Sequence, residues 1–237
     1  MFKKFLCLNL KYKITLTYFL TWLGFLISFS FGKFLIFLSN ILKSEPIKKP
    51  AEIAKTFGEM KFYAVSSVIS QNVSIPYLSY ALSYIINNSI SCMMIIAVFA
   101  LAGYLSSKEK AEEKEYLRFI CILFIFAIAN PITALIGVNL EFKDLIAIVP
   151  HGIFEFFGYS LAVVLGLELA NIFYPIKEKV SIKSIAILLM SIFTFISIAG
   201  FLEPIDWLIY NYAKANNLDL FKTFFTVYKS LIWGLNG

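Results

Sequence analysis

The chain has 237 residues, of which 59% are hydrophobic and only 15% charged, and its mean hydropathy is +0.79. A soluble domain of this length would not expose so apolar a surface, so this composition excludes the soluble classes and predicts an integral membrane protein. The formal net charge is +6, and the single histidine excludes metal motifs that need a histidine pair. We therefore expect no metal, no cofactor and no nucleic-acid partner.

The first 105 residues predict two membrane spans separated by a polar interval. The apolar run 14–42 follows a lysine-rich start, is too long for a signal-peptide core, and is expected to be a retained first span. Residues 43–77 form the longest polar interval, which we interpret as extramembrane. Within it, residues 51–69 have an apolar side and predict an amphipathic surface helix. A second span is predicted at 78–105.

Further apolar runs predict three more spans, at 116–137, 150–174 and 185–202. The third span contains Asn130-Pro131, where the missing proline N–H should kink the helix locally. The fifth is predicted to end at Glu203-Pro204. Aromatic residues alternate with lysines in 205–237, which is typical of an interfacial tail, with a sixth span as the alternative.

Together these elements predict an all-α fold. We expect a polytopic transmembrane helix bundle of about five spans, six being possible, in one integral membrane domain covering 1–237. Lysine and arginine residues concentrate at the N-terminus and in the links 106–118 and 175–183, which favours a multi-pass protein of the cell membrane with a cytoplasmic N-terminus. The five lysines of the interval after the first span argue against that orientation.

The most informative stretch opens the fourth span. Pro150 suits the first turn of a helix, where its missing N–H has no partner to lose. His151 and Glu155 are four residues apart and so share one helical face, with Gly152 between them. A carboxyl group inside a span needs a partner, and His151 is the nearest candidate, so we expect the two side chains to form one polar unit.

Small residues recur every fourth position along the same helix. Such a stripe lets another helix backbone approach closely, and we expect it to pack against a second helix, in the same chain or in a second copy. The stripe consists of Gly158, Ala162, Gly166 and Ala170.

The stretch Pro150-His151-Gly152-Ile153-Phe154-Glu155, followed by Ala162 and Gly166, resembles the signature helix of the stage II sporulation protein M family. Asn87-Asn88, Phe99, Gly103 and Glu203 agree with that resemblance, whereas Asn130-Pro131 and Phe157-Gly158 depart from the family pattern. In spore-forming bacteria the founding member is a membrane scaffold in a complex that brings cell-wall hydrolases to the engulfing membrane. The resemblance implies the fold and a scaffold-like function, without assigning this chain to sporulation.

Two functions remain open from the sequence. A non-catalytic scaffold or assembly component is favoured, because a small-residue stripe beside one ionisable pair serves helix packing; its partners would be the lipid bilayer and other membrane proteins or a second copy. The alternative is a transporter or permease-like subunit that uses His151, Glu155 and Glu168. An enzyme is not expected, because we find no nucleophile–base or metal constellation.

Overall fold

A computed structural model describes residues 2–42, 48–130, 140–176 and 180–234. Over these ranges the secondary structure is helical and contains no strand. In chain order the helices are α1 Phe2–Leu6, α2 Leu10–Leu42, α3 Lys48–Asn72, α4 Pro76–Lys108, α5 Glu113–Ala129, the 3-10 helix Phe142–Ala147, α6 Val149–Phe173, α7 Ile182–Ala215 and α8 Leu220–Trp233.

Four of the described helices are long and apolar enough to cross a membrane. Their candidate spans are Leu10–Leu38, Pro76–Lys108, Val149–Phe173 and Ile182–Ala215. The predicted first, second, fourth and fifth spans overlap these segments. The prediction of a helical fold with several helices able to span a membrane is therefore confirmed for the described residues.

The predicted third span is described only in part. Helix α5 ends at Ala129, and Asn130 follows with a φ of 37°, its N–H bonded to the Phe126 carbonyl. Asparagine tolerates this left-handed conformation better than most residues, which makes it a favourable helix C-cap. The remainder of that span, residues 131–137 with the predicted proline kink, lies outside the described residues.

Helix α7 differs from the sequence prediction, because it does not end at Glu203-Pro204 but continues to Ala215. Pro204 has no N–H to donate to the Gly200 carbonyl, yet the helix is held there by its neighbour α4. The Tyr77 hydroxyl of α4 donates to the Phe201 carbonyl at 2.7 Å, and Gly200 packs against Ile85 with no room for a Cβ. These contacts with α4 stabilise α7 where it continues past Pro204.

Helix α6 lies at the centre of the bundle, in contact with α2, α4 and α7. In the apolar 18-residue stretch of α6, 61% is buried within the protein. The corresponding fraction is 22–28% in the other three candidate spans. A helix with apolar residues around its whole circumference is expected to be surrounded by protein or lipid, and neighbouring helices provide most of the cover for α6, including its polar residues.

The small-residue stripe of α6 packs within the chain. A Cβ at Gly166 would lie 2.9 Å from Phe99 of α4, and one at Gly158 would lie 2.8 Å from Ile196 of α7. Ala162 and Ala170 are fully buried. Helix α6 therefore uses the stripe to approach two helices of its own bundle.

The two predicted surface helices lie at the periphery. Helix α3, predicted at 51–69, packs against α4 with Phe62 beside Tyr84 at 4.8 Å between ring centroids. Helix α8 packs against α7 and the 3-10 helix. Its 14 residues make about 21 Å of helix, which is shorter than a hydrocarbon core of about 30 Å.

We predict that Gly103→Ala destabilises the bundle. The added Cβ would lie 2.6 Å from the Ala170 carbonyl oxygen and 2.7 Å from its Cα, and the backbone of a packed helix cannot move aside as a side chain can. Overpacking of this kind typically costs about 1–3 kcal/mol.

Gly152→Ala is the matched control, because its added Cβ would meet nothing nearer than 3.4 Å. Alanine also gains roughly 1 kcal/mol of helix propensity over glycine. Thermal unfolding of both variants in detergent measures the difference. A midpoint for Gly152→Ala below that of Gly103→Ala would contradict the packing described above.

Candidate functional site

The site begins where α6 begins. Pro150 lies in its first turn, and the next residue, His151, has only 3% of its surface exposed. Gly152 is also buried, and a side chain there would point at Trp22 of α2. At 1.5 Å per residue, His151 and Glu155 lie about 3 and 9 Å along the helix from its first residue, within its first two turns.

The partner of His151 is Asp206 of α7. His151 Nδ1 lies 2.7 Å from Asp206 Oδ2, and the His151 backbone N–H donates to the same oxygen at 3.2 Å. The Tyr228 hydroxyl of α8 donates to Asp206 Oδ1 at 2.5 Å. An ionised carboxylate only accepts, so Nδ1 carries the proton and Nε2 is the nitrogen left for another partner.

Two glutamates complete the site. One ligand atom from each of His151, Glu155 and Glu203 lies within 4.8 Å of the others. Glu203 Oε1 accepts a long hydrogen bond, 3.5 Å, from Trp207 Nε1, whereas its Oε2 is buried and has no hydrogen-bond partner among the described residues. We call His151, Glu155, Glu203 and Asp206 the His–carboxylate cluster.

Polar groups also line the side of α4 that faces α6. The Tyr159 hydroxyl, one turn beyond Glu155, donates to Asn88 Oδ1 at 3.3 Å. Next to it, Lys61 of α3 donates to the Asn87 carbonyl at 2.9 Å and to Ser91 Oγ at 2.6 Å. Burial against α4 lowers the pKa of Lys61. Polar contacts therefore extend from α6 across α4 to α3.

The His–carboxylate cluster contains three carboxyl groups and one imidazole. Lys61 is engaged with α4, and Lys214 of α7 pairs with Asp144 at 3.0 Å. Ionised carboxylates are strongly disfavoured in a low-dielectric interior unless a positive charge or a proton accompanies them. The carboxyl groups of the cluster therefore require either bound protons or a cation beside them.

A second buried polar contact lies at the other end of α6. Lys13 Nζ of α2 and Glu168 Oε1 are 2.5 Å apart, and both side chains are 0% exposed. Between the two ends, Thr21 of α2 and Ser160 of α6 form a hydrogen bond of 3.0 Å. These contacts join α2 to α6 through polar groups within the bundle.

The structure places the predicted site residues in a wider arrangement than the sequence suggested. His151 and Glu155 are neighbours, but the hydrogen-bond partner of His151 is Asp206, and Glu203 joins the pair. Sequence reasoning missed Asp206 and Tyr228. The available signal was the three-residue spacing of Glu203 and Asp206, which puts both on one helical face once the helix is allowed to pass Pro204.

Comparison with known proteins gives one informative relative. The chain is 53% identical over 243 aligned positions to the uncharacterized protein MJ0096 of Methanocaldococcus jannaschii, an alignment that covers 97% of this chain and 93% of that protein. The chain belongs to the family of that archaeal protein. No family model matches the sequence, and no solved structure matches it.

We predict that breaking the Lys13–Glu168 contact from either side destabilises the protein. Removing one member of a buried ion pair leaves the other charge without that partner, which typically costs about 3–5 kcal/mol. Lys13→Met and Glu168→Leu should each lower membrane abundance and the unfolding midpoint. The double variant should recover most of the loss, because two apolar side chains of similar volume replace the pair. A double variant as unstable as the sum of both single variants would contradict this interpretation.

Proposed function

We propose that this protein is a permease-type membrane protein that admits a small cation to the His–carboxylate cluster. The observation that carries the proposal is the convergence of His151, Glu155 and Glu203 from two candidate membrane spans. Ionisable groups inside spanning helices are disfavoured, and they typically mark substrate or ion pathways.

The backbone beside the cluster supports the same function. Pro204 follows Glu203 directly and removes the N–H that would have bonded to the Gly200 carbonyl. In transporters, freed backbone carbonyl groups add to the side-chain ligands of an ion site. Helix α7 continues unbroken past Pro204, and the Gly200 carbonyl lies within one turn of Glu203.

Access from one membrane face is short. His151 is the third residue of α6, and Glu155 is about 9 Å along the helix from its start. The Lys61, Asn87 and Ser91 contacts between α3 and α4 add polar groups next to the Tyr159–Asn88 hydrogen bond, one turn beyond Glu155. A cation entering from that face would cross only part of the hydrocarbon core.

The scaffold function favoured by the sequence rested on the small-residue stripe. Ile196 and Phe99 of the same chain pack against Gly158 and Gly166, so these glycines offer no surface to a partner. We therefore prefer transport to a scaffold function and assign no chemical reaction to the cluster. Assembly with other membrane proteins or a second copy stays a separate prediction.

Membership in the stage II sporulation protein M family also stays a prediction, carried by the Pro150–Glu155 motif. So do a location in the cell membrane and a cytoplasmic N-terminus. The proposal of transport depends on none of the three, since side chains within the bundle support it.

Flux measurements in liposomes test the proposal. The purified protein should increase the passage of at least one cation among H⁺, Na⁺, K⁺, Mg²⁺, Mn²⁺ and Zn²⁺ over that of empty liposomes. Glu203→Gln keeps the shape of the side chain, removes its charge, and should abolish the increase.

Glu115→Gln is the matched control, because it makes the same chemical change at an exposed residue of α5 and should leave flux unchanged. Size-exclusion profiles verify that each variant is folded. No flux of any of the six cations from folded, inserted wild-type protein would contradict the proposed function.

A further inference from the structure

We propose that His151, Glu155 and Glu203 bind one divalent transition-metal ion, through His151 Nε2 and one carboxylate oxygen of each glutamate. The ligands come from α6 and α7 and are brought together only by the fold. That the ion is also the transported cation rests on the proposed function, whereas binding itself does not.

The separation of the three ligand groups suits a metal of this size. One ring nitrogen of His151 and one carboxylate oxygen of each glutamate already lie within 4.8 Å of one another. Zinc–nitrogen and zinc–oxygen bonds of about 2.0–2.2 Å put tetrahedral ligand atoms about 3.4 Å apart. Rotation about the glutamate side-chain bonds can close the remaining distance, so no helix needs to move.

The imidazole is held as a metal ligand would be. A metal-binding histidine almost always donates its other ring N–H to a carboxylate or carbonyl group, which fixes the tautomer and the ring orientation. Asp206 provides this carboxylate at 2.7 Å from Nδ1, and Tyr228 fixes Asp206 in turn. Asp206 is therefore a positioning residue in this proposal and Tyr228 supports it.

A buried carboxylate oxygen without a hydrogen-bond donor gives independent support for the metal site. Glu203 Oε2 is buried without a hydrogen-bond partner in the part of the chain that the structure describes. A buried carboxylate oxygen without a donor is costly, because it has lost water and gained nothing. A bound cation would satisfy it.

Ligand type and charge select the class of ion. Imidazole nitrogen suits Zn²⁺ and Fe²⁺, carboxylate oxygen suits Mn²⁺, and Mg²⁺ or Ca²⁺ prefer oxygen ligands alone. Glu155, Glu203 and Asp206 carry three negative charges when ionised, and the imidazole stays neutral. A divalent ion reduces this charge to one, whereas a monovalent ion leaves two, and uncompensated charge is disfavoured inside a membrane protein.

Titration calorimetry on metal-free protein in detergent tests binding, with elemental analysis after dialysis for stoichiometry. Wild-type protein should bind one Zn²⁺ or Mn²⁺ per chain and bind Mg²⁺ much more weakly. Glu155→Gln and Glu203→Gln should lose binding, Asp206→Asn should weaken it roughly 10–100-fold, and Glu115→Gln should bind as wild type.

The Glu203→Cys variant tests whether Glu203 binds the metal ion or is needed only for folding. A thiolate favours Zn²⁺ over Mn²⁺, so this variant should keep Zn²⁺ and lose Mn²⁺. Cys7, Cys92 and Cys121 are free cysteines. They are present in the wild type and in all variants, so any Zn²⁺ bound to them does not affect the comparison. Thermal unfolding without metal identifies any variant that has failed to fold.

The outcomes distinguish this inference from the proposed function. Metal binding with no cation flux supports the site and overturns the permease. Flux of H⁺, Na⁺ or K⁺ without Zn²⁺ or Mn²⁺ binding supports the permease and overturns the metal site. Equal metal binding by wild type and by folded Glu155→Gln, Glu203→Gln and Glu203→Cys would also overturn it.

Discussion

The hydrogen bond between His151 and Asp206 is the contact on which the described site depends. It joins the start of α6 to the later part of α7, and Tyr228 extends the link to α8. Both side chains are buried within the bundle, so little water competes for them, and the bond fixes which ring nitrogen carries the proton. Without it the imidazole would have no defined orientation.

The bundle makes such a polar site possible by surrounding α6 with protein. Hydrophobic association cannot drive helices together in lipid, so close packing at small residues must contribute. Gly158 and Gly166 let α7 and α4 approach, and Lys13 pairs with Glu168 at the far end. Polar side chains on α6 then face neighbouring helices, where each can find a partner.

Hydropathy located the four segments that are candidate spans in the described residues, because length and apolarity define such segments. It could not predict that α7 passes Pro204, since that depends on Tyr77 and Gly200 contacts with α4. His151 and Glu155 were found because they share one helical turn. Asp206 and Lys13 were not, because their partners lie 55 and 155 positions away in the sequence, and such pairings are set by tertiary packing.

The chain has one histidine, so protein labelled with ¹⁵N only in histidine gives the ring signals of His151 alone. The nitrogen spectrum of metal-free protein in lipid measures its tautomer directly. An imidazole that donates to Asp206 through Nδ1 predicts a protonated Nδ1 and an unprotonated Nε2, with Zn²⁺ shifting the Nε2 signal. A ring protonated at Nε2, or one exchanging between both tautomers as an exposed histidine does, would contradict the account.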